Sequence, residues 1–280
     1  MPSPSPRRAA VPVAVSSLSA GLVDGPPTVG TVVAAYRFGL YLDVAGDVLP
    51  VVTWDAVPVP TALRLSGRSG PLVWGVAPGD RVVVGLRRVV LPRLDLVAAR
   101  TWRPARVARA SARGWGGLEL TGATLGDAVP ATGWLADGIR DAVLARDPLP
   151  HVRGLVGRGR GLTPSGDDAL AGALLVGHAL GSDGRLATAV RSRLCATTAV
   201  SCSLLRAATD GYAARQVVTL VDAVLAGDAP TVRAALPPVL DMGHSSGHDL
   251  VTGIRAALDV HPFPPSVTSV RSGSTGRAAA

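Results

Sequence analysis

The residues best suited to chemistry are gathered in two short segments. The first, 154–172, reads Gly-Leu-Val-Gly-Arg-Gly-Arg-Gly-Leu-Thr-Pro-Ser-Gly-Asp-Asp-Ala-Leu-Ala-Gly. Its many glycines let a backbone come close to a ligand. Thr163-Pro164 marks a helix start, because Thr is a good N-cap and Pro suits the first helical position. The amides of Ser165, Gly166 and Asp167 would then lack intrahelical partners, and Gly166 would leave them sterically open. Bare amides, the helix dipole and a pliant loop through Gly161 together make an anion site, to which Arg158 and Arg160 would add charge. The spacing Gly161-x4-Gly166 is that of a nucleotide-phosphate loop, but Asp167-Asp168 occupy the Lys-Ser/Thr positions. No strand followed by G-x-G-x-x-G opens here, so a dinucleotide fingerprint is excluded too. Two uses are open to the acidic pair. Asp168 lies three residues after Ser165 and can close a capping box. Alternatively, one carboxylate of the pair binds a ligand amide or Mg²⁺.

The second segment, 243–253, is Gly-His-Ser-Ser-Gly-His-Asp-Leu-Val-Thr-Gly. The pattern Ser-Gly-x-Asp-x3-Gly occurs in both segments, as Ser165, Gly166, Asp168, Gly172 and as Ser246, Gly247, Asp249, Gly253. Two such helix starts can face each other across one pocket. Ser165, Gly166, Ser246 and Gly247 would then donate to an anion, with Thr163, His244 and Ser245 beside them. Asp167, Asp168 and Asp249 would orient the starts or bind an amide nitrogen. The plainer reading is two capped helices that need glycine for close packing. His244 and His248 stand at i, i+4, a metal spacing only if both are helical. A helix beginning at Ser245 or Ser246 leaves His244 out, so no metal is expected. A third element, Thr197 to Leu205, puts Thr198, Ser201 and Leu205 on one helix face. Its hydroxyls either bond back to carbonyls or touch a ligand. Ser165 lacks the G-x-S-x-G elbow, so no hydrolase triad is read, and no cofactor motif is seen.

These motifs need rigid elements behind them. Apolar residues recur at helical spacing over 132–146, 165–180, 186–210, 212–226, 230–241 and 246–259, with stops at Gly181, Gly211 and Gly227. The helix following Asp168 is apolar all round and should be buried, with His178 a core histidine. Residues 28–110 read instead as β structure: TVVAAYRFGLYLDV, VLPVVTW, PLVWGV and RVVVGLRRVVL, punctuated by Ala45-Gly46-Asp47 and Ala77-Pro78-Gly79-Asp80. The expected fold is α+β, a β-rich N-terminal barrel-like or sandwich part followed by a helical C-terminal domain. The expected divisions are a disordered tail over 1–20, the β-rich part over 21–110, a linker over 111–131, the helical domain over 132–262, and a second tail over 263–280.

Composition narrows the classes. The chain has 280 residues, 48% hydrophobic and 17% charged, which supports a real core and argues against disorder. No apolar run approaches the ~18 residues of a membrane span, so no membrane association is expected. All 28 basic residues are Arg, and Glu119 is the one Glu among 20 acids. Four of the arginines, Arg7, Arg8, Arg271 and Arg277, lie in acid-free ends, so the net +8 overstates the body's charge. A basic body favours anionic ligands. No basic helix with interleaved aromatics is present, and a nucleic-acid partner is not expected. Cys195 and Cys202, seven apart in a helical-looking segment, are too distant to pair and are expected as free, apolar-packing thiols. With Pro12 and several Ser spoiling a signal peptide, the expected location is cytoplasmic.

The string Gly157-x-Gly159-x-Gly161-Leu-Thr-Pro-Ser-Gly-Asp-Asp168-x-Leu170-x-Gly172, then Ser201-x-x-Leu-Leu205-x-x-Ala208-x-x-Gly211, then Gly243-His-Ser-Ser-Gly-x-Asp249-x-x-x-Gly253, resembles the bacterial AllH-type proteins. The resemblance spans about 28–260. It departs from the family pattern at Arg158 and Arg160, where Leu-like and Pro residues are usual, and at Ala169, which replaces a larger apolar residue. The family includes a subunit of oxamate carbamoyltransferase, which works with two other subunits in anaerobic allantoin breakdown. The resemblance implies a carbamoyltransferase-like subunit with partner proteins, holding a small anionic substrate such as carbamoyl phosphate or an oxamate-like acid. Its alternative is a non-catalytic small-molecule-binding or assembly subunit of a multi-subunit enzyme. The candidate ligand residues are Gly161, Thr163, Ser165, Gly166, Asp167, Asp168, Thr198, Ser201, His244, Ser245, Ser246, Gly247 and Asp249.

Overall fold

Period-two burial is what turns the front of the chain into strands. In Gly39–Val44 the side chains of Leu40, Leu42 and Val44 are fully buried, whereas Tyr41 and Asp43 between them are not. In Arg81–Gly85, Val82 and Val84 point inward and Arg81 and Val83 outward. A computed structural model describes residues 9–56, 59–68, 73–110, 125, 128–129, 133–182 and 184–261. In it the strands are β1 (Ala9–Ser16), β2 (Thr28–Tyr36), β3 (Gly39–Val44), β4 (Asp47–Val52), β5 (Leu63–Leu65), β6 (Arg81–Gly85), β7 (Arg88–Val90) and β8 (Leu94–Trp102), with a short helix α1 (Ala20–Asp24) after β1.

These strands form a closed barrel in the order β1-β5-β4-β3-β2-β6-β7-β8. Closure comes from β1, which lies antiparallel to β5 and parallel to β8. Leu40, Leu42, Leu49, Leu63, Val84 and Leu96 fill the interior. Each such side chain contributes about 1.5–3 kcal/mol through burial. The turn at Ala45-Gly46 has both residues in the left-handed region, and Asp43 Oδ1 accepts the Gly46 N–H at 2.9 Å.

Three sequence expectations change here. The tail expected over 1–20 does not hold from Ala9 onward, because Val13 and Val15 are barrel core and the β1 backbone is needed to close the sheet. Residues 1–8 lie outside the described residues. PLVWGV supplies no strand over 73–76; instead Trp74 is buried and its indole N–H donates to the Tyr36 carbonyl at 2.9 Å. RVVVGLRRVVL is a hairpin, turning at Leu86 and Arg87.

The barrel leads through β9 (Ala105–Arg106) into the helices. They are α2 (Trp134–Leu144), α3 (Leu149–Leu155), α4 (Ser165–Leu180), α5 (Gly184–Arg191), α6 (Ala199–Thr209), α7 (Arg215–Ala226), α8 (Ala229–Leu240) and α9 (Ser246–Val260). The ribbon strand β10 (Tyr212–Ala213) pairs antiparallel with β9. The fold is therefore α+β, as expected. α4 is central, and every residue from Gly166 to Ala179 is buried. It crosses α9 at very short range. A Cβ on Gly172 would collide with the Leu250 carbonyl oxygen, and one on Gly253 with the Ala169 carbonyl oxygen. Glycine at these two positions lets the backbones touch.

The single helix expected over 186–210 is broken. A 3₁₀ turn, Leu194–Ala196, separates α5 from α6 because Thr197 and Thr198 bind elsewhere through their hydroxyls. Cys195 is consequently exposed rather than packed, and Cys202 is half-buried; both are free thiols. Most of the expected linker 111–131 lies outside the described residues, including Gly114, Gly116 and Gly117. Its Leu125 and Val129 are buried in the helical core. The tail expected over 263–280 also lies outside them. No described helix is long and apolar enough to cross a membrane.

Candidate functional site

The barrel and the helices are pinned together around α6. Thr61 Oγ1 and Ser203 Oγ lie 2.9 Å apart, Arg206 pairs with Asp47, and the Val107 N–H donates to the Gly211 carbonyl at 2.9 Å. Beside this seam is a cavity of about 570 Å³. One wall is the barrel's β2–β3 hairpin, with Tyr36, Phe38 and Tyr41. The opposite wall is helical, with Leu175 of α4 and Leu204 and Leu205 of α6. The floor is made by the starts of α4 and α9, through Thr163, Asp167, Asp168 and Ser246.

The two repeated segments thus meet in one hollow. Thr163 Oγ1 and Ser246 Oγ are 2.8 Å apart. Asp168 lies beside them with 7% of its surface exposed, and its Oδ2 has no hydrogen-bond partner. Burial raises its pKa to about 8; the Ser246 and Thr163 hydroxyls oppose the rise, and the nearby Asp249 and Asp167 carboxylates add to it. Asp168 is therefore largely protonated at neutral pH, and the residue borders the cavity. Asp249 Oδ2 is also buried without a partner.

Asp167 does a different job. Its Oδ1 accepts the Gly157 N–H at 2.9 Å and its Oδ2 accepts the Thr197 hydroxyl. Burial raises its pKa, and the Thr197, Gly157 and Ser201 hydrogen bonds oppose that rise. One carboxylate thus ties the glycine loop and the turn before α6 to the start of α4. Thr198 caps α6 by accepting the Ser201 N–H at 3.1 Å, and its hydroxyl donates to the Leu162 carbonyl. The Ser201 hydroxyl also reaches Leu162 O, at 3.4 Å, and Ser201 lines the cavity.

Two of the three amides expected to be bare, those of Gly166 and Asp167, are bonded. The Gly166 N–H donates to Arg158 O at 2.9 Å, and those of Asp167 and Asp168 to Pro164 O at 2.9 and 3.2 Å. At the other start, Gly247 N–H donates to Met242 O at 3.0 Å and Asp249 N–H to Ser245 O at 2.9 Å. The glycine loop folds back over the α4 end, so that a Cβ on Gly159 would strike the Ser165 amide nitrogen. Gly166 and Gly247 leave no open space either. Their α-carbons press on the carbonyls of Leu155 and Val239. The capping box also fails, because the N-cap of α4 is Pro164, which has no N–H to receive Asp168. Gly161, His244 and Ser245 are exposed, and like Ser165 and Thr198 they do not line the cavity. Arg158 sits 4.2 Å over the Trp134 ring, away from the cavity lining.

The wall residues Tyr36, Phe38, Tyr41 and Tyr212 escaped the sequence reading. The signal was scarcity: all three tyrosines and one of two phenylalanines in the chain border this cavity.

Residues 155–258 match the family described as oxamate carbamoyltransferase subunit AllH. This segment is similar to the AllH family. The AllH match takes in both Ser-Gly helix starts and α6, which together supply the floor and one wall of the cavity. It is narrower than the expected 28–260, since the barrel, with its Tyr36 and Phe38, lies outside it. No solved structure matches the chain.

Proposed function

We propose that the chain is one subunit of a carbamoyltransferase-like enzyme, and that its cavity takes the carbamoyl end of a small substrate of the oxamate or carbamoyl phosphate type. The observation that carries this reading is the buried Asp168 carboxyl, its Oδ2 unpartnered, bordering a 570 Å³ cavity made largely by helices of the segment that matches the AllH family. A carbamoyl group offers one carbonyl acceptor and N–H donors. Protonated Asp168 donates to the carbonyl, and the Thr163 and Ser246 hydroxyls can accept from the nitrogen. Preorganised donors of this kind stabilise charge that develops on a carbamoyl oxygen during transfer.

The anionic remainder of such a substrate needs cations. The charged residues bordering the cavity are Asp55, Asp167 and Asp168, with no Arg, Lys or His among the described lining residues. This favours a site completed by a partner subunit. Tyr36 and Phe38, 47% and 46% exposed at the rim, offer that partner an apolar landing place. The same observation gives weight to a second reading, in which the chain binds the substrate and the partner does the chemistry.

Calorimetric titration of oxamate and of carbamoyl phosphate into the full chain tests the reading. Binding at pH 7 that weakens about tenfold or more in Asp168→Ala is expected. Equal heats from wild type and variant would remove it.

A further inference from the structure

The cavity offers more room, and a more apolar wall, than a two-carbon amide can use. Its volume of about 570 Å³ falls within the range of roughly 300–1,000 Å³ that holds drug-sized ligands. Among the described lining residues the polar side chains are Thr163, Asp167, Asp168, Ser201 and Ser246 at the floor, Asp55 near the barrel, and the hydroxyl tips of Tyr36, Tyr41 and Tyr212. Above the floor the surface is hydrocarbon and aromatic: Leu175, Leu204, Leu205 and Val217 on the helical side, Tyr41 and Tyr36 on the barrel side. Tyr36 and Tyr41 meet edge to face, with ring centroids 6.3 Å apart, and form a rigid apolar panel. Water beside such walls finds few hydrogen-bond partners, so displacing it with an apolar group is favourable.

The floor also discriminates by charge. Asp168 is 93% buried, by its 7% exposure, and its Oδ2 lacks a partner. Asp167 and Asp249 stand close by. A carboxylate head placed there would add a negative charge near the acidic Asp167 and Asp249, whereas a neutral amide both donates and accepts without that cost.

We infer that the ligand of this cavity is a carboxamide or ureido compound with an apolar or aromatic body. Its neutral head sits at Asp168, Thr163 and Ser246, and its body runs along Leu175 and Leu204 toward the Tyr36–Tyr41 panel. This rests on the carbamoyl reading above for the position of the head and extends it to the class of substituent.

The test is calorimetry on the full chain at pH 7 with oxamate, acetamide, hexanamide, 4-phenylbutanamide and 4-phenylbutanoate. Affinity is expected to climb from acetamide to hexanamide by about fourfold per buried methylene. The phenyl amide should bind about tenfold or more tightly than its carboxylate. Leu204→Trp, which fills the upper cavity, should abolish the advantage of the long amides over acetamide. Leu204→Phe serves as a milder version should the Trp variant melt early. Oxamate binding with no gain from a tail would overturn this inference and leave the carbamoyl reading standing. Equal binding of amide and carboxylate, unaltered in Asp168→Asn, would overturn the assignment of the head. No binding by any probe would overturn both.

Discussion

The hydroxyls of Thr163 and Ser246 lie 2.8 Å apart across a sequence separation of 83 residues. This contact joins the starts of α4 and α9 immediately beside the Asp168 carboxyl. Both hydroxyls favour ionised Asp168, against the larger effect of burial. Ser246→Ala removes the stronger of the two. The Asp168 midpoint, about 8 in the wild type, should move upward by about one pH unit or less. Carbon-detected NMR of the aspartate carboxyls over a pH series reads this directly. A downward move would mean that Ser246 is not a donor to this carboxyl.

Asp168 also couples folding to pH. Its folded pKa of about 8 lies above the value near 3.9 of an unfolded aspartate. Between those limits the folded chain holds a proton that the unfolded chain has lost. The favourable contribution is complete below about pH 4, falls as pH rises, and is gone above about pH 8. Asp168→Asn cannot ionise and escapes this loss. The stability of the variant relative to wild type should therefore grow from pH 4 to pH 9, by an amount on the order of 2 kcal/mol or more. Urea unfolding of both proteins at the two pH values gives the difference. A gap that stays constant with pH would show that Asp168 titrates as an ordinary carboxylate.

The α4–α9 crossing predicts an asymmetry among glycines. Gly172→Val and Gly253→Val each drive a side chain into the partner helix backbone and should cost about 3 kcal/mol. Gly154 in α3 has open space around its α-carbon. Gly154→Ala should instead stabilise by about 0.5–1 kcal/mol, since glycine is a poor helix former. Chemical denaturation of the three variants separates the cases. Equal effects at all three sites would mean the two helices are not in backbone contact.

The same glycines show what was legible in the chain. The repeat Ser-Gly-x-Asp-x3-Gly located the floor of the cavity, because both of its copies open helices that meet there. Its first glycine follows the close-packing reading rather than the open-amide one. Gly166 and Gly247 serve packing against Leu155 and Val239, and their own amides are already bonded. Local patterns show where a helix starts but not what the preceding loop folds back upon. The alternation in β3 and β6 made a β part evident. The hairpin at Leu86-Arg87 was hidden, since two non-glycine residues take the left-handed conformation there. The barrel's share of the cavity was equally hidden. Tyr36 and Tyr41 are brought to the helices by closure of the sheet, the Thr61–Ser203 and Asp47–Arg206 contacts and the β9–β10 pairing, all long-range events.

Asp167, next in sequence to Asp168, should behave in the opposite way when mutated. Its oxygens hold the Gly157 N–H and the Thr197 hydroxyl, and its carboxyl is 2% exposed. Asp167→Ala strands both donors in the interior and should destabilise the chain by about 3 kcal/mol. The loss is also local in character. With this anchor gone, the 157–163 loop is held to α4 mainly by the Gly166–Arg158 backbone bond, and limited proteolysis should cut there, after Arg158 or Arg160, well below the global unfolding midpoint. In Asp168→Ala the loop anchors remain, so trypsin should leave this segment as resistant as in the wild type. Cleavage at Arg158 and Arg160 in both variants alike would show that the two carboxylates share one structural role, contrary to their different hydrogen bonds.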